Sequence, residues 1–289
     1  MQVPAAFQYR RATSVEHALS LLAEYGPESR IVAGGHSLLP MMKLRLAHPE
    51  ALVDINDLAE LAGVRVEDGA LVIGAMARHA DLLAAADAGR LFPILHDAER
   101  VIADPIVRNR GTVGGSLCQA DPSEDLSAVF AALRARLVIH GTDGTRTVDA
   151  RDFFLGPYET VVAQDELLGA IHVPIRPSTS AYVKVDRRAG DWAVGAAGAV
   201  LTIDGGIVVE AGIGLTALGA PRFVAAEAEE FLTGRPPTEE RLVQAGQIAA
   251  QHCAPAADQR GPTDYKRHLA GELVTRALRR ALSFVTGRG

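Results

Sequence analysis

Two glycine pairs constrain this chain more than any other feature. One lies in Val32-Ala33-Gly34-Gly35-His36-Ser37-Leu38, the other in Arg110-Gly111-Thr112-Val113-Gly114-Gly115-Ser116. Each follows a short β-prone stretch, and each is followed by a small hydroxyl side chain. Glycine tolerates positive φ and lets a ligand approach the bare backbone. Successive N–H groups in such a loop form a concave anion site. A lone Gly-Gly is more often an ordinary tight turn. Two in matching contexts, flanked by Ser37, Thr112 and Ser116, point to phosphate, because an anion needs hydroxyls and backbone N–H groups. Two such loops would grip both halves of a diphosphate, which suggests a dinucleotide cofactor held between two lobes.

A length of 289 residues predicts about two domains. An apolar share of 48% supplies sizeable cores. The formal net charge is −6, and no basic stripe offsets phosphate charge, so nucleic acid is not an expected partner. No run approaches the roughly 18 apolar residues that span a bilayer. Met1-Gln2-Val3-Pro4-Ala5 lacks the basic and apolar regions of a signal peptide. The expectation is a soluble cytoplasmic protein without a transmembrane segment. Two cysteines, Cys118 and Cys253, fit a reducing compartment and are too few for a four-cysteine zinc site or iron–sulfur cluster. No pair of histidines has zincin spacing, so no metal site is expected.

Along the chain, Thr13-Ser14-Val15-Glu16 is a capping-box pattern, followed by apolar residues at helical spacing up to Gly26. Residues 30–33 and 51–55 read as strands, with a short helix around Pro40 between them. Residues 1–57 thus form a small α/β lobe in which the first glycine loop sits at a strand-to-helix junction of a βαβ crossover, where such sheets bind ligands. A second lobe, 58–176, reads as a strand at 70–74, helices at 79–88, 93–102 and 125–133, a hairpin closed around Asp143-Gly144, and a strand at 167–173. Residues 174–180 make the best linker. The region 178–289 reads as strands near 181–187, 193–203 and 207–215, then helices near 222–232, 238–253 and 264–285. That is an α+β order.

Rival motifs are weaker. Gly35-His36-Ser37-Leu38-Leu39 half matches the nucleophile elbow of serine hydrolases, but Leu39 replaces the small residue that the sharp turn demands. Gly212-Ile213-Gly214-Leu215-Thr216-Ala217 matches a dinucleotide fingerprint, yet no helix opens there, so it reads as a closely packed strand. Asp121 and Asp125 precede a helix, so each is either an N-cap or an acceptor for a polyol chain. Lys184, Arg187 and Arg188 read as a solvated charged strand unless a ligand recruits them. Trp192, the only tryptophan, is either core or a flat ring beside a flat cofactor.

At these residues the chain resembles the FAD-binding medium subunits of the molybdenum hydroxylases. The motifs are Ala33-Gly34-Gly35-His36-Ser37-Leu38-Leu39-Pro40, Thr112-Val113-Gly114-Gly115-Ser116, Asp121-Pro122 and Asp125-Leu126. The likeness continues through Met41-Met42-Lys43-Leu44-Arg45-Leu46, Ile102-Ala103-Asp104-Pro105, Gly190-Asp191-Trp192-Ala193, Ile213-Gly214-Leu215-Thr216, and Gly261-Pro262 with Tyr265. Within the family it is most similar to medium subunits of aerobic carbon monoxide dehydrogenases.

The resemblance implies a two-lobed FAD-binding domain of the PCMH type and a C-terminal α+β domain with an antiparallel sheet and a helix bundle. It implies non-covalent FAD, with its diphosphate held by Ala33, Gly34, Gly35, His36 and Ser37 and by Thr112, Val113, Gly114, Gly115 and Ser116. Asp125 would meet the ribityl hydroxyls, Lys184 would approach the flavin from the C-terminal domain, and Trp192 would lie near the isoalloxazine. Ser116 stands where the family commonly has asparagine. Distant relatives attach flavin covalently through a Gly-Gly-His loop, which His36 matches, but nearer relatives do not. The chain itself lacks metal ligands, so no catalytic residue is assigned. A large molybdenum–copper subunit would oxidise the substrate, and a small subunit with [2Fe–2S] clusters would relay electrons. FAD would pass them to a quinone, in a dimer of heterotrimers. Any contact with the inner face of the cell membrane would be made through partners. The same flavin role in a xanthine, nicotinate or aldehyde hydroxylase is the enzymatic alternative; a flavin-storing scaffold subunit is the non-enzymatic one.

Overall fold

The computed structural model describes residues 3–286; Met1 and Gln2 of the N-terminal stretch discussed above, and residues 287–289, lie outside it. The chain starts with β1 (Gln8–Arg11), α1 (Val15–Tyr25), β2 (Ser29–Val32), α2 (Leu38–Lys43) and β3 (Ala51–Asp54). The order in this sheet is β1-β3-β2, with both outer strands parallel to β3. Parallel neighbours need crossovers, and α1 and α2 supply them. Central β3 is covered on both faces, so Ala51, Leu52 and Val53 are all buried. The α1 cap is Ser14, whose side chain accepts from the His17 N–H; Thr13 stays outside the helix. Gly26 ends α1 at φ +62°.

The second unit holds β4 (Val64–Glu67), β5 (Ala70–Gly74), α3 (His79–Ala84), α4 (Ala86–Leu91), α5 (Pro93–Val101), α6 (Pro105–Arg108), α7 (Val113–Gln119) and α8 (Asp125–Ala132). Then come β6 (Arg136–Gly141), β7 (Gly144–Asp149), α9 (Ala150–Phe153), β8 (Phe154–Gly156), β9 (Glu159–Thr160) and β10 (Leu167–Pro174). The antiparallel sheet runs β4-β5-β10-β6-β7. The expected single helix over 79–88 is two helices, because Ala85 takes an extended conformation at ψ 105°. Strands β1 and β4 are edges with mostly exposed side chains, so no apolar alternation marks them in the sequence.

The last region pairs β11 (Thr179–Val185), β12 (Gly195–Asp204) and β13 (Ile207–Thr216) antiparallel, then adds α10 (Ala226–Leu232), α11 (Glu239–His252) and α12 (Thr263–Thr286). Its own core joins Leu201, Ile213 and Leu215 to Leu273, Ala277 and Leu278 of α12. The other face of the sheet lies on α8. A Cβ on Gly212 or Gly214 would run into the carbonyl oxygens of Ala132 and Ala128. The dinucleotide-like fingerprint at 212–217 is therefore a packing device. Helix α8 buries every one of its residues, as a helix enclosed on all sides must. Tyr182, Ala193 and Ala196 share one buried cluster with Phe92, Ile94, Leu117 and Phe130 of the second unit.

Candidate functional site

A cavity of about 1050 Å³ opens where the three regions meet. It is at the upper end for a small-molecule site and suits an extended ligand. Both glycine loops, the start of α8, β11 and the segment at Trp192 reach its wall.

The first loop follows β2. Gly35 has φ +77°, and its Cβ would lie 2.9 Å from Leu39 Cδ1. Gly34 packs flat against the Arg110 carbonyl, where a side chain has no room. The N–H groups of Gly34, Gly35, His36, Ser37 and Leu38 meet no acceptor among the described residues. His36 and Ser37 are exposed, and the Ser37 hydroxyl does not cap α2. Ala33 lines the cavity while its carbonyl accepts from Asn56 Nδ2 at 2.8 Å. Consecutive free N–H groups on the wall of a large cavity form an anion nest.

The second loop is built differently. Thr112 caps α7 by accepting from the Gly115 N–H at 3.1 Å. The Val113 and Gly114 N–H groups donate to Ala77 and Ala75 carbonyls at 2.9 and 2.8 Å, and Ser116 N–H donates to Thr112 O. A Cβ on Gly114 would lie 2.5 Å from Ala75 Cβ, so this glycine serves close packing on the strand-end loop. The two loops are thus not equivalent: residues 113–116 spend their N–H groups on the scaffold, while the Thr112 N–H meets no acceptor among the described residues. Val113 is fully buried and does not line the cavity, whereas Thr112, Gly114, Gly115 and Ser116 do. Ser116 Oγ donates to Glu124 Oε2 at 2.8 Å.

Arg78 ties the loops together. Its guanidinium donates to the Arg110 carbonyl at 2.5 Å and to Asn56 Oδ1 at 2.7 Å, and Asn56 holds the Ala33 carbonyl.

Beside the loops lies a buried polar chain. Lys184 Nζ sits 2.8 Å from Asp125 Oδ2, with the two side chains 2% and 5% exposed. The other Asp125 oxygen accepts from Tyr182 OH at 2.7 Å. Lys184 also donates to the Val101 carbonyl at 3.2 Å. Lys184 is therefore not on a solvated strand, and both Asp125 oxygens are already engaged. The α8 cap is Glu124, whose carboxylate accepts from the Leu126 and Ser127 N–H groups. Burial pushes both the Glu124 and the Asp125 carboxyls above the usual range, against the hydrogen bonds and, for Asp125, the Lys184 charge. Asp121 instead accepts from Tyr158 OH at 3.1 Å.

Trp192 is 46% exposed and stands on the cavity wall, so it is not core. The bend before it relies on Gly190, at φ +79°, whose Cβ would lie 2.7 Å from the Ala103 carbonyl. Sequence reasoning passed over Tyr182, Glu124, and the buried His79–Glu99 pair. Asp104 and Ile102 line the same cavity, in a segment the sequence marked only by family likeness. Among the described residues no cluster of three or more His, Cys, Asp or Glu is placed to hold a metal ion. Among the described residues no helix is long and apolar enough to cross a membrane.

Two family profiles match in series. Residues 5–176 match the FAD binding domain in molybdopterin dehydrogenase. Residues 180–281 match the CO dehydrogenase flavoprotein C-terminal domain. The carbon monoxide dehydrogenase medium chain of Afipia carboxidovorans is 41% identical over 281 residues, covering 96% of this chain and 98% of that protein. A carbon monoxide dehydrogenase structure from Hydrogenophaga pseudoflava superposes with a TM-score of 0.94 at 43% identity, covering 97% and 99% of the two chains. Quinoline 2-oxidoreductase from Pseudomonas putida gives a TM-score of 0.90 at 34% identity, covering 96% and 98%. Matched end to end in sequence and fold, the chain belongs to the FAD-binding subunits of the molybdopterin dehydrogenases, the molybdenum hydroxylases.

Proposed function

We propose that this chain is the FAD-carrying electron-transfer subunit of an aerobic carbon monoxide dehydrogenase. The observation that carries the flavin role is the first loop. Its consecutive unpartnered N–H groups belong to Gly34 to Leu38, which line a cavity large enough for a dinucleotide. In this reading those groups, with the Ser37 hydroxyl and His36, bind the diphosphate. Gly115 and Ser116 border it on the other side, and Thr112 shapes that border by capping α7. Lys184 presents a buried positive charge, held by Asp125, on the wall nearest the C-terminal sheet. Asp125, oriented by Tyr182 and Lys184 with one bond to each oxygen, keeps a lone pair on each to accept from the ribityl hydroxyls. Trp192, on the cavity wall and half exposed, lies beside the isoalloxazine in this reading. Bound FAD supplies a centre that accepts electrons singly and releases them in pairs.

In the proposed assembly a large molybdenum–copper subunit oxidises the substrate. A small [2Fe–2S] subunit feeds this chain, and a quinone accepts the electrons, in a dimer of heterotrimers. The identity to carbon monoxide dehydrogenase medium chains supports the substrate class. The alternative is the same flavin role for another substrate, supported by the fold likeness to quinoline 2-oxidoreductase. Co-purification with the partner subunits followed by anaerobic substrate addition tests both. Carbon monoxide should bleach the flavin absorbance. Bleaching by xanthine or nicotinate alone would keep the flavin role and reject the substrate. Acid precipitation should release the flavin; colour retained on the polypeptide would point to a covalent bond at His36.

A further inference from the structure

His79 opens α3 and lies on the cavity wall, although it is only 4% exposed. Its Nδ1 is 3.0 and 3.1 Å from the two oxygens of Glu99, whose side chain is wholly buried. The ring's other nitrogen, Nε2, has no hydrogen-bond partner among the described residues, and the residue lines the cavity. That edge of the ring runs under the root of the second glycine loop. A Cβ on Gly111 would lie 3.0 Å from His79 Cδ2 and 3.4 Å from Nε2. Gly111 therefore keeps the imidazole edge uncovered.

A carboxylate-backed imidazole with one bare N–H is a directed donor. The second loop needs one. Its own N–H groups, from Val113 to Ser116, are already donated within the protein. We propose that His79, oriented by Glu99, donates from Nε2–H to a phosphate oxygen of the cofactor's diphosphate and so supplies a contact that the N–H groups of residues 113–116 cannot. This rests on the flavin reading above. The surroundings favour the charged ring. Burial pushes His79 down, but the charge and hydrogen bond of Glu99 outweigh it, and Glu124, which caps α8, and Asp125 in its first turn push the same way, so the net direction is up. Glu99 faces His79 from α5, with Arg108 of α6 near it.

The test uses the full chain stripped of flavin. Binding of FAD and of riboflavin, which has the ring and ribityl chain but no phosphate, is measured by fluorescence from about pH 6 to about pH 9, a range that brackets an upshifted imidazole. FAD affinity should fall at least about tenfold across that range, the scale of one hydrogen bond to a charged group. Riboflavin affinity should stay flat. His79→Gln should weaken FAD binding at the acid end and abolish the slope. Glu99→Gln should move the midpoint to lower pH, because a buried imidazole without its counter-charge gives up its proton sooner. A riboflavin slope equal to that of FAD, or an unchanged FAD slope in His79→Gln, would overturn the proposal. His36 is the other imidazole placed at the diphosphate, so each profile is also taken with His36→Gln, in which the FAD slope should persist. If His79→Gln fails to fold, loss of the slope in His36→Gln overturns the proposal. No flavin bound at any pH would instead remove the flavin reading itself.

Discussion

Lys184 Nζ and Asp125 Oδ2 meet at 2.8 Å, and the contact joins the C-terminal sheet to the first turn of α8. With both side chains almost fully buried, the pair is a liability as soon as one member is lost. Asp125→Ala should cost about 3–5 kcal/mol, since it strands a buried ammonium. Adding Lys184→Met should restore much of the loss, because an apolar side chain of similar length needs no counter-charge. Urea midpoints of the single and double variants test this. An Asp125→Ala midpoint equal to that of the unmodified chain would show that the pair contributes nothing.

The Glu124 carboxyl sits above the usual range because burial outweighs its hydrogen bonds. A group raised on folding adds stability that is complete below its unfolded pKa and disappears as pH climbs through the folded value. The unmodified chain should therefore lose stability relative to Glu124→Gln as pH rises from acid to neutral. Melting temperatures of both proteins across that window test the sign. A difference that stays constant with pH would mean that Glu124 titrates normally.

Gly35→Val and Gly115→Val should each abolish FAD binding while leaving the fold in place. Gly35 sits at φ +77°, and Gly115 faces the cavity with Thr112 Oγ1 only 2.6 Å from a built Cβ. Loops of this kind carry function on a scaffold packed elsewhere. Flavin content and circular dichroism of the purified variants are the measurements. Normal flavin content in both would locate the cofactor elsewhere.

Trp192→Ala should retain FAD but bind it severalfold more weakly and change its reoxidation by quinone. An aromatic contact beyond simple burial is worth about 0.5–1.5 kcal/mol. The indole's emission gives a second readout, because it is the only one in the chain. Emission unaffected by flavin removal would separate Trp192 from the cofactor.

The sequence disclosed those parts of the site that depend on backbone. A Gly-Gly pair alone is an ordinary turn, but its recurrence beside small hydroxyl residues marked both segments; the first lies between β2 and α2, and the second falls inside α7. The difference between the loops was hidden, because it depends on which carbonyls of 75–77 come to face Val113 and Gly114. Glu124 was passed over for its neighbour Asp125, since either can precede a helix and only packing decides which one caps. His79 and Glu99 lie on separate helices, and nothing in either segment announces the other. Strands with a buried face, such as β5 and β10, were readable from their apolar pattern; the exposed edges β1 and β4 were not.

Helix α8 has a consequence for how far the protein can be divided. The two family profiles abut between residues 176 and 180, which invites treating them as interchangeable modules. Yet α8 belongs to the first and is roofed by β13 of the second, with two glycines cut to fit its carbonyls. Arg176 in the joint is itself pinned to Glu210 at 2.7 Å. Cutting the chain at the joint would leave two pieces that still cling together, and removing either would uncover the other's apolar interior. Proteolytic nicking near Pro177 should accordingly yield fragments that co-elute on gel filtration. Recombination among relatives at that joint would have to carry matched surfaces on both sides, so the flavin half and the C-terminal half are expected to evolve as one piece.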